Sequence, residues 1–121
     1  ISITGLKKRS DFLKTSSARL KCVTPGLILQ GRNHTLNEIR SSDLSDLRIG
    51  FTVSKKVGNA VSRNRVKRRL KAVAQNILLT KSPKHLDLVV IGRQNALKRP
   101  FSNLLADMEK ALTQIQTSKR N

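Results

Sequence analysis

Residues 48–79 constrain the fold more than any other part of the chain, because they read as two well-defined elements in close succession. From Arg48 to Ser54 the side chains alternate, with Ile49, Phe51 and Val53 on one side and Arg48, Gly50, Thr52 and Ser54 on the other, as a strand with one buried face requires. Gly58-Asn59 ends the extended stretch. Residues 60–79 then contain neither Gly nor Pro and place Val66, Leu70, Val73 and Ile77 three or four residues apart, the spacing of a helix with one apolar stripe. Any fold for this chain must bury one face of the strand and one stripe of the helix that follows it.

Other elements are less sharply written. Ser10 is a candidate cap for a short helix through Asp11, Phe12 and Leu13, with the Asp11 carboxylate in its first turn. Residues 20–30 read as a strand with a kink, or as two short strands, around Pro25-Gly26. Residues 33–46 collect Asn, Ser and the acids Glu38, Asp43 and Asp46, and are expected to form a surface loop or hairpin turn. Pro83 breaks the long helix, Leu86 to Gly92 reads as a buried strand, and Phe101 to Ile115 carries Leu104, Leu105, Met108, Leu112 and Ile115 at helical spacing. With no repeat and no linker, 1–121 is read as one domain ending in a frayed tail at 116–121.

Composition narrows the class of partner. Lys and Arg number 25 against 7 Asp and Glu, a formal charge of +18, while hydrophobic residues still make up 37%. That is enough apolar content for a core, so the chain is a folded basic module and its expected partner is a polyanion. The single Cys22 excludes an internal disulfide, and no Cys/His cluster of zinc-binding spacing surrounds it. The apolar runs at 27–29, 77–79 and 88–91 fall far short of the roughly 20 residues of a membrane span. Residues 1–8 lack the apolar stretch of a secretory leader, and the expected location is the cytoplasm.

The charge is concentrated. Between residues 48 and 71 lie nine basic side chains, Arg48, Lys55, Lys56, Arg63, Arg65, Lys67, Arg68, Arg69 and Lys71, and no Asp or Glu. On the helix, Asn64, Arg68 and Lys71 project opposite the apolar stripe, while Arg63, Arg65, Lys67 and Arg69 lie on its flanks, where their aliphatic stems can pack and their heads still reach out. A merely solvated face interleaves both signs to gain ion pairs one turn apart, whereas this one gathers like charges whose repulsion an anionic ligand relieves. Guanidinium groups suit phosphate oxygens and stacked bases. Nucleic acid is the expected ligand, although composition does not separate RNA from duplex DNA.

Nothing supplies a catalytic site of the chain's own. His34, in the polar loop, and His85, beside a turn, belong to no nucleophile motif or carboxylate cluster, and Gly50 and Gly58 do not form a phosphate-binding glycine fingerprint. Of the three aromatic residues, Phe51 sits on the apolar face of its strand, where core packing is as good an account as base stacking, and Phe12 is the freer ring.

The stretch Arg48-Ile-Gly-Phe-Thr-Val-Ser-Lys-Lys-Val-Gly-Asn-Ala-Val-Ser-Arg-Asn-Arg-Val-Lys-Arg-Arg-Leu-Lys71 resembles the signature of the bacterial ribonuclease P protein subunit, whose namesake motif is Arg63-Asn64-Arg65. Weaker similarity continues through Leu6-Lys-Lys-Arg-Ser-Asp-Phe12 and Leu86-Asp-Leu-Val-Val-Ile-Gly-Arg93. The resemblance implies an α/β fold of the two-layer α+β kind, ribosomal protein S5 domain 2-like, in which a central mixed sheet carries helices and a left-handed βαβ crossover contains the motif helix. It implies an accessory subunit of a ribonucleoprotein endoribonuclease that removes the 5′ leader of precursor tRNA, with the catalytic RNA, and not the protein, holding Mg2+ and the active centre.

Carried over by resemblance, Lys55, Lys56, Asn59, Arg63, Asn64, Arg65, Lys67, Arg68, Arg69 and Lys71 contact the catalytic RNA. Phe12, Phe51 and Val53 line or support a cleft for the single-stranded leader, and no protein residue is assigned to catalysis or to a metal. The chain departs from the family pattern at Ser16, one turn after Phe12, and around Leu29 and Gln30, positions where aromatic residues are common. A structural ribosomal protein is the chief rival reading, since it too would be small, basic and poor in cysteine, and a self-sufficient protein nuclease is a third.

Overall fold

The computed structural model describes residues 3–41 and 44–118. Strands β1 (Ile3–Gly5), β2 (Leu20–Val23), β3 (Leu27–Asn33), β4 (Leu47–Val53) and β5 (Leu86–Gly92) form one mixed sheet in the order β1-β4-β5-β3-β2. The helices are α1 (Arg9–Ser17), α2 (Leu36–Ser41), α3 (Ala60–Lys81) and α4 (Phe101–Ser118). β4 and β5 are parallel neighbours joined through α3, β1 runs parallel to β4, and β2 and β3 form an antiparallel hairpin on the far side of β5. Short 3-10 turns at Lys55–Val57 and Gln94–Leu97 follow β4 and β5.

Strand alternation divides the sheet into two unlike faces. Leu27, Leu29, Leu47, Ile49, Leu86, Leu88 and Val90 share a buried cluster with Val66, Leu70, Val73 and Ile77 of α3 and with Leu104, Met108, Leu112 and Ile115 of α4, so the expected helical stripes and the expected strand faces meet in one core. The opposite face carries Ile28, Gln30 and Arg32 of β3, Asp87, Val89 and Ile91 of β5, and Arg48, Gly50 and Thr52 of β4. It is covered only in part, by α1, whose Thr15 is fully buried.

Local chemistry sets the element ends. Asn59 caps α3, its Oδ1 accepting from the Ser62 amide at 2.9 Å, and Gly58 before it has φ 152°, a conformation that favours glycine. α1 starts at Arg9 after Lys8 rather than at a Ser10 cap; no side chain caps it, and Asp11 instead reaches Arg48. The expected loop at 33–46 contains α2. Its signal is Thr35-Leu-Asn-Glu38: the Glu38 amide donates to Thr35 Oγ1 at 3.1 Å and the Thr35 amide to Glu38 Oε1 at 2.8 Å, a reciprocal capping box. Asp43 lies outside the described residues. α4 continues through Ser118, so 116–118 of the expected tail are helical and the rest of it lies outside the described residues.

One carboxylate organises the partly open face. Asp87 is fully buried and sits in one cross-strand row with Arg48 and Arg32. Arg48 donates to both of its oxygens, Nε to Oδ1 at 2.8 Å and Nη2 to Oδ2 at 2.7 Å, Arg32 Nη2 donates to Oδ2 at 2.8 Å, and His34 Nε2 lies 2.7 Å from Oδ1. His34, read from sequence as part of the polar loop, is buried, its backbone amide donating to the His85 carbonyl at 2.9 Å just beyond the β3–β5 pairing. Burial pushes the Asp87 carboxyl up, but the hydrogen bonds from Arg48, His34 and Arg32 outweigh it and hold it below its usual value.

The hydrogen bonds from Arg32 hold Glu38 at a pKa of about 2, against an ordinary 4.5. A carboxyl depressed in the folded state stabilises the fold above its unfolded pKa and loses that contribution as pH falls toward the folded value. Stability is therefore expected to decline as pH is lowered from about 4.5 to about 2, and Glu38→Gln is expected to make this acid limb shallower. Urea unfolding midpoints across that range, compared between the two proteins, check it; parallel curves would contradict it.

Candidate nucleic-acid interface

Helix α3 lies on the sheet by its apolar stripe, which leaves its outer side to solvent. Asn64, Arg65, Arg68 and Lys71 are exposed there, Arg63 and Lys67 are half-buried on the flanks, and Val61, Asn64, Lys67, Arg68 and Lys71 line a shallow groove of about 410 Å³. Lys55 and Lys56 are exposed on the 3-10 turn just before the helix. The Asn59 side-chain oxygen is occupied by the helix cap, so only its amide NH2 is available to a ligand. The Arg63 Nε is buried without an acceptor among the described residues.

The charges also oppose the helix's own electrostatics. α3 has no acidic residue in its first turn and instead carries Arg63 and Arg65 close to its positive end, where cations are unfavourable. A sequence that breaks a local stability rule over two turns is set up for something outside itself. A bound polyanion resolves both the repulsion and the dipole conflict.

Two of the nine cations are not part of this surface. Arg48 is held by Asp87 and Asp11. Arg69, expected to contact RNA, points the other way: Nη1 donates to the carbonyls of Ala96 at 2.6 Å and Leu97 at 3.0 Å, and Nη2 to that of Arg99 at 2.6 Å. Sequence spacing places Arg69 on a flank but cannot show that a turn with unsatisfied carbonyls waits beside it.

The cleft residues separate in the same way. Phe12 of α1 lies directly over Gly50, where any Cβ would overlap its ring, and this puts it on the partly open face, which also carries Thr52, Ile91 and Ile28. Phe51 and Val53 are on the other face, packed against the core shared with α3. Of the expected alternatives, that they line or support the cleft, lining it beside Phe12 is corrected: strand period two sends residues 51 and 53 away from the face that residues 50 and 52 share, so any part they play is support from behind the strand. Ser16 is exposed on α1 and Gln30 is half-buried on the cleft face, so the floor of the groove is aliphatic and polar, with Phe12 its one ring among the described residues. Sequence reasoning missed Ile28, Thr52 and Ile91, although the alternation that placed Phe51 also placed Thr52 opposite it.

A family model for ribonuclease P matches residues 3–116. The chain belongs to the ribonuclease P protein family. A ribonuclease P protein component from Paramagnetospirillum magneticum is 46% identical over 110 residues, covering 91% of this chain and 80% of the relative. One from Ruegeria pomeroyi is 41% identical, covering 97% and 90%. The solved structure of the Staphylococcus aureus ribonuclease P protein superposes with a TM-score of 0.71 at 25% identity, covering 90% of this chain and 92% of that one. The Thermotoga maritima protein, at 23% identity, shares the fold with a TM-score of 0.69.

In this family member, five acidic side chains are already committed to cations of the protein and are poor ligands for a hydrated Mg2+ ion. Asp11, Glu38, Asp87, Asp107 and Glu109 each face a cationic partner, respectively Arg48, Arg32, the pair Arg32 and Arg48, Arg99, and Lys81. No group of three or more His, Cys, Asp or Glu among the described residues could hold a metal. Among those residues, too, no helix is long and apolar enough to cross a membrane.

Proposed function

We propose that the chain is the RNA-binding subunit of the ribonuclease P ribonucleoprotein, assisting a catalytic RNA in cutting the 5′ leader from precursor tRNA in the cytoplasm. The acid-free cationic helix, carried by a family-specific motif on a rigid sheet, is the observation that bears this reading. Lys55, Lys56, Arg63, Asn64, Arg65, Lys67, Arg68 and Lys71 contact phosphates of the catalytic RNA, and the amide of Asn59 adds a donor beside them. The groove between α1 and the sheet takes the single-stranded leader, whose first unstacked base lies against Phe12. The protein makes and breaks no bond: it neutralises phosphates, and Mg2+ is held by the RNA, whose phosphate and water ligands suit that ion.

The test is reconstitution with the cognate RNA transcript. The wild-type protein is expected to prefer that transcript over an unrelated RNA of equal length, and to bind precursor tRNA more tightly with a leader than without one. Phe12→Ala is expected to erase most of the leader's advantage while leaving leaderless tRNA binding unchanged. Gly50→Ala, which forces the ring off its seat, should do the same. An undiminished leader effect in both variants removes Phe12 from the site, and equal affinity for ribosomal RNA would favour the ribosomal reading.

A further inference from the structure

The turns that follow β4 and β5 enclose a second recess, apart from the α3 ridge and on the end of the sheet where the two parallel strands finish. It has a volume of about 400 Å³ and is lined by Ser54, Lys56, Val57, Arg93, Gln94 and Asn95, with Gly92 at its base. No carboxylate lines it, and neither Lys56 nor Arg93 forms an ion pair among the described residues. Two exposed cations among its lining residues leave the recess without a counter-charge.

Its walls are fixed before any ligand arrives. Gln94 Nε2 donates to the Lys56 carbonyl at 2.8 Å, joining the two turns, and Arg93 Nη1 donates to the Thr24 carbonyl at 2.8 Å, which leaves Nη2 and Nε of that guanidinium without an acceptor among the described residues. The strongest tie is Arg69, whose three hydrogen bonds to the carbonyls of residues 96, 97 and 99 fasten the second turn to α3. These carbonyls end a 3-10 turn, the place where backbone acceptors lack partners of their own.

We infer that this recess is a phosphodiester seat within the RNA interface, with Lys56 and Arg93 as the contacts, and that Arg69 is a positioning residue that builds its wall and touches no RNA. The inference rests on the proposed RNA-binding function. It turns a residue of the family motif from a ligand contact into a support, and adds Arg93, outside the motif stretch, as a contact.

A double-variant cycle separates support from contact. The affinity of the full chain for the catalytic RNA transcript is measured across salt concentrations for wild type, Lys56→Ala, Arg69→Ala and the double variant, after circular dichroism shows each to be folded. Removing one phosphate-binding cation lowers the slope of log affinity against log salt by about 1. If Arg69 acts through the recess, Lys56→Ala and Arg69→Ala each lower it by about 1, and the double variant by about 1 again, not about 2.

Additive slopes, falling by about 2 in the double variant, would overturn the inference, as would a Lys56→Ala slope equal to wild type. Arg69→Lys is run alongside and replaces Arg69→Ala if that variant does not fold. It keeps the charge but cannot fork to three carbonyls, so a support role predicts the loss seen with Ala and a contact role predicts a wild-type slope. If the wild-type protein shows no preference for its transcript over an unrelated RNA, the underlying function fails instead, an outcome distinct from additivity.

Discussion

Asp87→Asn is expected to lower the unfolding free energy by about 3–5 kcal/mol, the range for removing one partner of a buried charge cluster. The asparagine matches the carboxylate in shape, so the change creates no cavity and isolates the charge. What remains is a buried row in which Arg48 and Arg32 face a neutral amide that offers one acceptor oxygen where two were in use. Arg48 keeps only the long 3.4 Å contact to Asp11 and Arg32 keeps Glu38. Because Arg48 also ties α1 to the sheet, the loss should extend to the groove, loosening the seat of Phe12. Urea unfolding followed by circular dichroism measures the first effect; a decrease below about 1 kcal/mol, the scale of an exposed pair, would show that the cluster is not a buried keystone.

The second large effect is on binding. The triple variant Arg65→Ala, Arg68→Ala, Lys71→Ala removes three exposed cations from the outer side of α3 and none from the core. Each phosphate that the protein no longer neutralises lowers the salt slope by about 0.7–0.9, so the slope should fall by about 2–3 and affinity at moderate salt by orders of magnitude, with thermal stability unchanged or raised as like-charge repulsion is relieved. In the reconstituted enzyme the deficit should be greatest at limiting Mg2+, where phosphate neutralisation by protein matters most. Lys110→Ala, on the exposed side of α4, removes a charge remote from the ridge and serves as the control. A slope equal in the triple variant and the control would count against α3 as the RNA-binding surface.

The readable parts of the chain were those where one periodicity ran unopposed. Ile49, Phe51 and Val53, then Val66, Leu70, Val73 and Ile77, announced β4 and α3 because alternation and helical spacing each persisted for several residues, and Gly and Pro marked the breaks. Elements ruled by single hydrogen bonds were harder to see. α2 depends on the reciprocal pair Thr35 and Glu38 inside a stretch that is otherwise polar, and three-residue β1 has too few side chains to show a period. For the candidate site, charge density points to α3 but not to the direction of each side chain. Arg48 and Arg69 look like their neighbours in sequence, and only the fold shows that a carboxylate on β5 and a row of carbonyls on the following turn claim them. Phe51 was ambiguous for the opposite reason: its ring suits a base or a core equally well, and the side of the sheet it faces decides the matter.

If the proposed function holds, the placement of α1 on one side of the sheet and α3 on the other bears on how a small protein would hold two nucleic acids together. A strand lying along the groove and another lying along the outer side of α3 would be separated by the sheet and by a helix that is itself about 10 Å across. At physiological ionic strength the Debye length of about 8 Å holds in the surrounding electrolyte and not across a packed interior, so distance and the solvent path around the domain set what repulsion remains. Under the proposed function the packed interior acts as a spacer: catalytic RNA and leader would be held at once, back to back, on opposite sides of the domain.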